Sequence, residues 1–250
     1  MSDSAGQPWK GRQFDHRSAA DDDGSAPVAL LRALAQFRAG EIGVAGVVDT
    51  IRDSRLLIPL VAQLGEVGIG ARGHTGDTSA ELSIVTVAGP DGRNVMPVFS
   101  SVDAMRRWKP QARPVPADAV RVALAAASEG TEIVVLDPAS PTEFVIRRPA
   151  LWAIAQSQPW IPSYLDAEIL DEFRASVRPE SVVASVTFEP GDADARFTGP
   201  ELVVQLALRP GLARAELDAL LARLQERWVA SPAIAARVDS LEVRIGTAGA

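Results

Sequence analysis

The chain has 250 residues, 47% of them hydrophobic, a formal net charge of −7, two histidines and no cysteine. That length and apolar content predict one or two domains with a sizeable core. The missing cysteine excludes disulfides, thiolate metal sites and a Cys nucleophile, and the acidic balance argues against nucleic acid as a partner.

The charge is uneven: residues 1–26 carry five acids and three bases, 27–150 thirteen of each, and 151–250 fourteen acids and nine bases. The longest apolar runs, 42–48 and 56–62, are too short to span a bilayer. No basic amphipathic helix is present to hold an anionic membrane surface. The N-terminus lacks the apolar core of a secretory signal, so a cytoplasmic protein with no membrane contact is expected.

In chain order, residues 1–26 are polar and aperiodic, which predicts a disordered acidic tail. Ser25 sits near a cap position, and Leu30, Leu31, Leu34 and Phe37 recur at helical spacing ahead of Gly40. Val44, Val47, Val48 and Ile51 give a second helix one clean apolar face. Strands are expected at "RLLIPLV" (55–61), "ELSIVTV" (81–87) and "NVMPVF" (94–99), the last two as a hairpin across "GPDGR". A helix over 116–129, with Pro116 at its start, Asp118 in the first turn and Gly130 as a stop, comes next. Two strands, "TEIVVLD" and "EFVIR", flank the turn "PASPT", and Pro149 opens a short helix. "SQPWIPS" reads as a linker. Beyond it Ser163 and Asp166 form a capping box, and the order is α-β-β-α-β, with alternating strands at 181–189, 201–208 and 240–246. The fold class is therefore α+β. A mixed or antiparallel sheet with flanking helices fills 27–157, residues 158–163 link, and a smaller antiparallel unit fills 164–250.

The chemistry-bearing patterns are incomplete. "GIGARG" (68–73) matches G-x-G-x-x-G, but "HTGDTSAE" follows where a dinucleotide fold needs a helix, so a loop is expected. His74 lies in that loop with Asp77 nearby, short of a metal ligand set. "GDADAR" places Asp192 and Asp194 as in half a calcium loop, without the turn glycine or the closing Glu. No cofactor and no metal are expected. In "NVMPVFSSVDAMRRWKP", Ser100 and Ser101 follow a Pro-broken strand. The enzymatic reading makes one of them a nucleophile with His74 as base. The structural reading makes Ser100 a helix cap, with Asp103 three residues on. The nucleophile-elbow pattern is absent, and the cap is the expectation. Pro59 and Pro97 each interrupt an apolar strand, which places them on edge strands or at bulges. A partner's strand docking at such an edge is the functional alternative.

The stretches "RLLIPLV", "GRNVMPVFSSVDAMRRW", "ARPVPADAVRVALAAASEGTEIVVLDP" and "FVIRRPALWAIAQ" resemble the SseB family N-terminal domain in its actinobacterial form. Residues 163–246 resemble that family's C-terminal region more loosely. The positions matching its motif are Pro97, Phe99, Ser100, Trp108, Asp137 and Pro138. The resemblance transfers no catalytic residue. The family's name, for enhanced serine sensitivity, implies serine or sulfur metabolism reached through a partner enzyme. The expectation is thus a non-catalytic interaction or regulatory module. Its partner-binding candidates are Pro97, Phe99, Ser100, Ser101 and Trp108, and Asp137 and Pro138 form a family turn. Alternatives are a small-ligand or hydrolytic enzyme using Ser100, Ser101 and His74, and a homodimer through the helix face of Leu217, Leu220, Leu221, Leu224 and Trp228.

Overall fold

The computed structural model describes residues 22–63 and 81–248. The "GIGARG" motif, His74 and most of the acidic tail lie outside the described residues. Residues 22–26, expected within the tail, are docked: Asp22 pairs with Arg55 at 2.7 Å, and the Gly24 carbonyl accepts from Val102 N.

Helices α1 (Val28–Arg38) and α2 (Val44–Arg52) bury Leu30, Leu34, Val47, Val48 and Ile51. Gly40 lies just beyond α1 at φ +73, where only glycine is unstrained. Strands β1 (Arg55–Gln63) and β2 (Glu81–Ile84) are followed by β3 (Val87–Ala88) and β4 (Asn94–Val98). Then come α3 (Val102–Trp108), β5 (Arg113–Asp118), α4 (Ala119–Ser128), β6 (Val134–Leu136), β7 (Phe144–Ile146) and α5 (Arg148–Ala155). One antiparallel sheet runs β2-β1-β5; the other runs β3-β4-β6-β7, with β4 and β6 parallel. Leu56, Met96, Val98, Leu136, Phe144 and Ile154 join the first two helices in one core.

Two expectations need correction here. The helix over 116–129 begins only at Ala119, because residues 113–118 pair with β1 as a strand; Asp118 is the N-cap, accepting from Arg121 N at 2.8 Å. The expected hairpin survives only at Val87↔Val95 and Ala88↔Asn94, and the preceding residues, Glu81–Ile84, pair with β1 instead.

The prolines explain that split. Leu57 and Phe99 exchange both backbone hydrogen bonds, at 2.8 and 2.9 Å, the one bridge between β1 and β4. Alternate residues of a strand direct their backbone the same way, so the next hydrogen-bonded pair in that register is Pro59 against Pro97. Neither has an N–H to give. The strands part there: β1 continues with β2 and β4 with β3, so one chain segment fills both sides of the gap. Pro59 and Pro97 thus sit on interior strands at a break in pairing, where edge strands or bulges were expected, and the opening is flanked by the chain's own β2 and β3. Across β1, Pro114 faces Pro59 and Pro116 faces Leu57; their nitrogens point off the outer edge of β5.

The second unit comprises α6 (Ala167–Val177), β8 (Val183–Pro190), β9 (Leu202–Leu208), α7 (Arg214–Ala230), α8 (Pro232–Arg237) and β10 (Leu241–Thr247). Its sheet order is β10-β9-β8, and β10 lies parallel to β9, so the sheet is mixed and not antiparallel as expected. The α7–α8 crossover carries the chain back to the starting end, which a hairpin cannot do. Leu220, Leu224 and Trp228 of α7 are buried with Ile169, Phe173 and Leu206. Of the helix face expected to dimerise, Leu220, Leu224 and Trp228 are thus buried in this chain's own core, and Leu217 and Leu221 are partly buried against it. The N-cap of α6 is Asp166, accepting from Glu168 N; Ser163, expected as the cap, is fully buried. The expected linker is packed as well, with Trp160 against the first core.

Candidate functional site

Strand β4 delivers Phe99, Ser100 and Ser101 to the start of α3, and the serine roles differ from expectation by one residue. Ser101 is the N-cap: its backbone is extended at φ −144, and its hydroxyl accepts from Ala104 N at 3.1 Å. Ser100 is buried and turns to Asp137 at the end of β6. Its N–H donates to Oδ1 at 2.8 Å and its hydroxyl to Oδ2 at 2.6 Å. Thr142 Oγ1 donates to the same Oδ2 at 2.8 Å, and Arg55 Nη1 donates to the Ser100 carbonyl at 2.9 Å. Asp137 sits at φ +46 and Ala139 at φ +59, so the turn that opens at Asp137-Pro138 is a left-handed one, tied by Ala139 N donating to Glu143 Oε2.

A serine nucleophile needs a base positioned to take its proton and open space for an electrophile. The Ser100 hydroxyl is instead committed to a buried carboxylate, and His74, the base of the enzymatic reading, lies outside the described residues. Neither serine is expected to be labelled by a broad fluorophosphonate probe. Labelling of Ser100, read by peptide mass spectrometry, would show that the Asp137 network opens.

Of the other motif residues, Pro97 and Phe99 are buried, and Phe99 stacks at 5.3 Å on a half-buried Trp108. With Leu57, Ala104 and Met105, Phe99 and Trp108 form a small second core beneath α3. Each of these docking candidates has its apolar surface covered by its own chain, except for the outer part of Trp108.

A denser polar cluster, which the sequence reading missed, joins the two units. Arg147, at the N-cap of α5, donates to Asp192 Oδ2 at 2.8 Å and to Asp239 Oδ2 at 3.1 Å. Arg93 holds Asp239 through both nitrogens, at 2.9 and 3.0 Å. The two guanidinium groups lie over the Phe197 ring, 5.7 Å (Arg93) and 5.3 Å (Arg147) from its centroid. Burial alone would raise the Asp239 and Asp192 carboxyls, but their arginine partners, with loop N–H groups at Asp192, hold both below the usual carboxylate range. Asp192 also accepts from the N–H groups of Arg196, Phe197 and Thr198, so the half calcium loop is a turn closed on its own carboxylate. Glu201, nearby, is pushed up by burial while accepting from Asp239 N. No signal short of knowing the fold would have joined Arg93, Arg147, Asp192 and Asp239. Among the described residues no three His, Cys, Asp or Glu side chains are placed to hold a metal ion.

At the surface, α4 and α5 leave a notch of about 290 Å³ lined by Ala127, Gly130, Thr131, Arg148, Leu151 and Trp152. Trp152 is 46% exposed, and the Arg148 guanidinium lies 4.9 Å over its ring. Arg148 is held from behind, donating to the carbonyls of Ala235 and Val238 at 2.9 and 2.6 Å. The available signal was positional: Pro149, Ala150, Leu151 and Ile154 make the buried face of α5, and Trp152 falls off it.

A search of curated proteins and a search of solved structures each found no match. Against protein-family models, residues 29–153 match the SseB protein N-terminal domain. The match takes in both helices of the first core, the Pro59–Pro97 seam, the Ser100–Asp137 network and the α4–α5 notch, and it spans half of the chain: the protein belongs to the SseB family.

Proposed function

We propose that this protein is a non-catalytic protein-binding module whose contact surface is the α4–α5 notch, filled by an apolar side chain of a partner protein. The observation that carries the reading is Trp152, a large aromatic ring left 46% exposed beside a preformed notch. Arginine and tryptophan are the side chains most often found at the energetic centre of protein interfaces. Here Arg148 is already immobilised by the α8 carbonyls, so docking costs little further side-chain entropy. The family's name points to serine and sulfur metabolism as the setting for that partner. Without cysteine, this chain has no thiol to carry sulfur itself.

The test is crosslinked recovery from an extract of the native cell, read by mass spectrometry, with the wild-type chain beside Trp152→Ala and Ala127→Glu. Both substitutions are at exposed or half-exposed positions and leave the core intact. A stoichiometric partner recovered by the wild type and lost with both variants is expected. The same partner recovered equally by all three chains would move the contact elsewhere.

A further inference from the structure

Among the described residues, strand β10 is an edge of the second sheet. Leu202 N donates to Ser240 O and Ala248 N to Leu208 O, so the even-numbered residues of β10 bond to β9. By alternation, Leu241, Val243 and Ile245 direct their N–H and C=O groups off the free edge. Natural proteins protect such an edge with charge, proline or a covering element. This one carries Ile245, which is 44% exposed. Beside it α7 and α8 leave a groove of about 570 Å³, lined by Leu221, Trp228, Val229, Ile234, Leu241 and Val243, and Val229 is 74% exposed.

The sequence of the edge names its occupant. Around Val243 the strand reads Leu241-Glu242-Val243-Arg244-Ile245, apolar at matching distances on either side and opposite in charge. An antiparallel copy related by a two-fold axis through Val243 sets Leu241 against the partner's Ile245. Glu242 then meets the partner's Arg244, and Arg244 the partner's Glu242. The outward-facing residues become the hydrogen-bonded pairs, while Glu242 and Arg244 fall on the non-hydrogen-bonded pairs, where side chains approach most closely. Both charges are already on one solvent face, with Arg244 Nε 2.7 Å from Glu242 Oε1 and its Nη1 3.2 Å from Glu189 Oε1. We infer that β10 is the interface of a symmetric homodimer, in which two three-stranded sheets join edge to edge and each copy's strand closes the groove beside the other's. The contact is isologous, as two-fold dimers require. It does not use Trp152 and stands or falls separately from the notch.

Sedimentation equilibrium of the full chain over a concentration series tests this. The wild type is expected to pass from 26.5 kDa to twice that mass with rising concentration. Ile245→Lys places a charge on the edge and is expected to leave a monomer. Glu242→Arg puts like charges opposite each other twice and is expected to weaken association about tenfold. The exchange Glu242→Arg with Arg244→Glu restores complementarity and is expected to recover it. Circular dichroism of each variant establishes folding, and the recovery in the double exchange is a result that misfolding does not produce. A wild type that stays at 26.5 kDa at every concentration overturns the proposal, as does a dimer that Ile245→Lys leaves intact.

Discussion

Asp137→Ala is expected to lower the stability of this protein by about 3–5 kcal/mol, measured by urea unfolding. The carboxylate accepts the Ser100 N–H, the Ser100 hydroxyl and the Thr142 hydroxyl, and Ser100 is 2% exposed. Without it two buried donors have no acceptor, and a buried polar group left unpaired costs about 1–3 kcal/mol. The backbone at φ +46 adds strain for alanine that Asp and Asn tolerate better. Asp137→Asn should therefore lose about half as much: its carbonyl serves the Ser100 N–H, and its amide donates to the hydroxyl in the reversed sense. Ser100→Ala removes one donor and with it one bond, for about 1 kcal/mol. Equal losses for Asp137→Ala and Ser100→Ala would mean that the network contributes no more than a single hydrogen bond.

Arg147→Met should cost a comparable amount, about 3–5 kcal/mol, because it strips a buried guanidinium from between two buried carboxylates. Asp239 keeps Arg93; among the described residues Asp192 keeps its loop N–H groups and the Thr198 hydroxyl, but no cation. The pH dependence follows from the direction of the shifts. Asp192 and Asp239 are held below their ordinary values. Their contribution is fully present above the unfolded carboxylate pKa of about 4, and it is lost as pH falls through the lower folded values. The gap between wild type and Arg147→Met should accordingly narrow below about pH 4. Glu201 works in the opposite sense: burial raises its carboxyl, so its contribution is present below the unfolded value and fades as pH rises through the folded one. A gap that stays constant from pH 7 to pH 3 would show that the arginine acts through packing and not through charge.

Periodicity carried much of the architecture. The apolar faces of α1 and α2 stand in the sequence as buried Leu30, Leu34, Val47, Val48 and Ile51, and the three strands of the second unit read off its alternating residues, although the short α8 between α7 and β10 did not. The prolines were legible as breaks in pairing, because a missing N–H is a property of the residue itself. Their arrangement was not. That Pro59 and Pro97 share one register is a relation between strands separated by an intervening segment, and local pattern contains no term for it.

The serines show the same limit at the scale of one side chain. The pattern S-x-x-D with Asp103 pointed to Ser100 as the cap, and the structure gave that role to Ser101 because Ser100 turns to Asp137, brought alongside by the parallel pairing of β4 with β6. By itself the sequence determined the fold class and the lack of any thiol, since these follow from periodicity and the covalent structure of each residue, and its resemblance to a known family carried the family motif. Only the tertiary structure decided which serine caps, which strand lies parallel, which tryptophan remains at the surface, and that Arg93, Arg147, Asp192 and Asp239 form one cluster. Those outcomes depend on which distant groups share a desolvated volume, and the energy of a buried polar group is set by the partner it meets there.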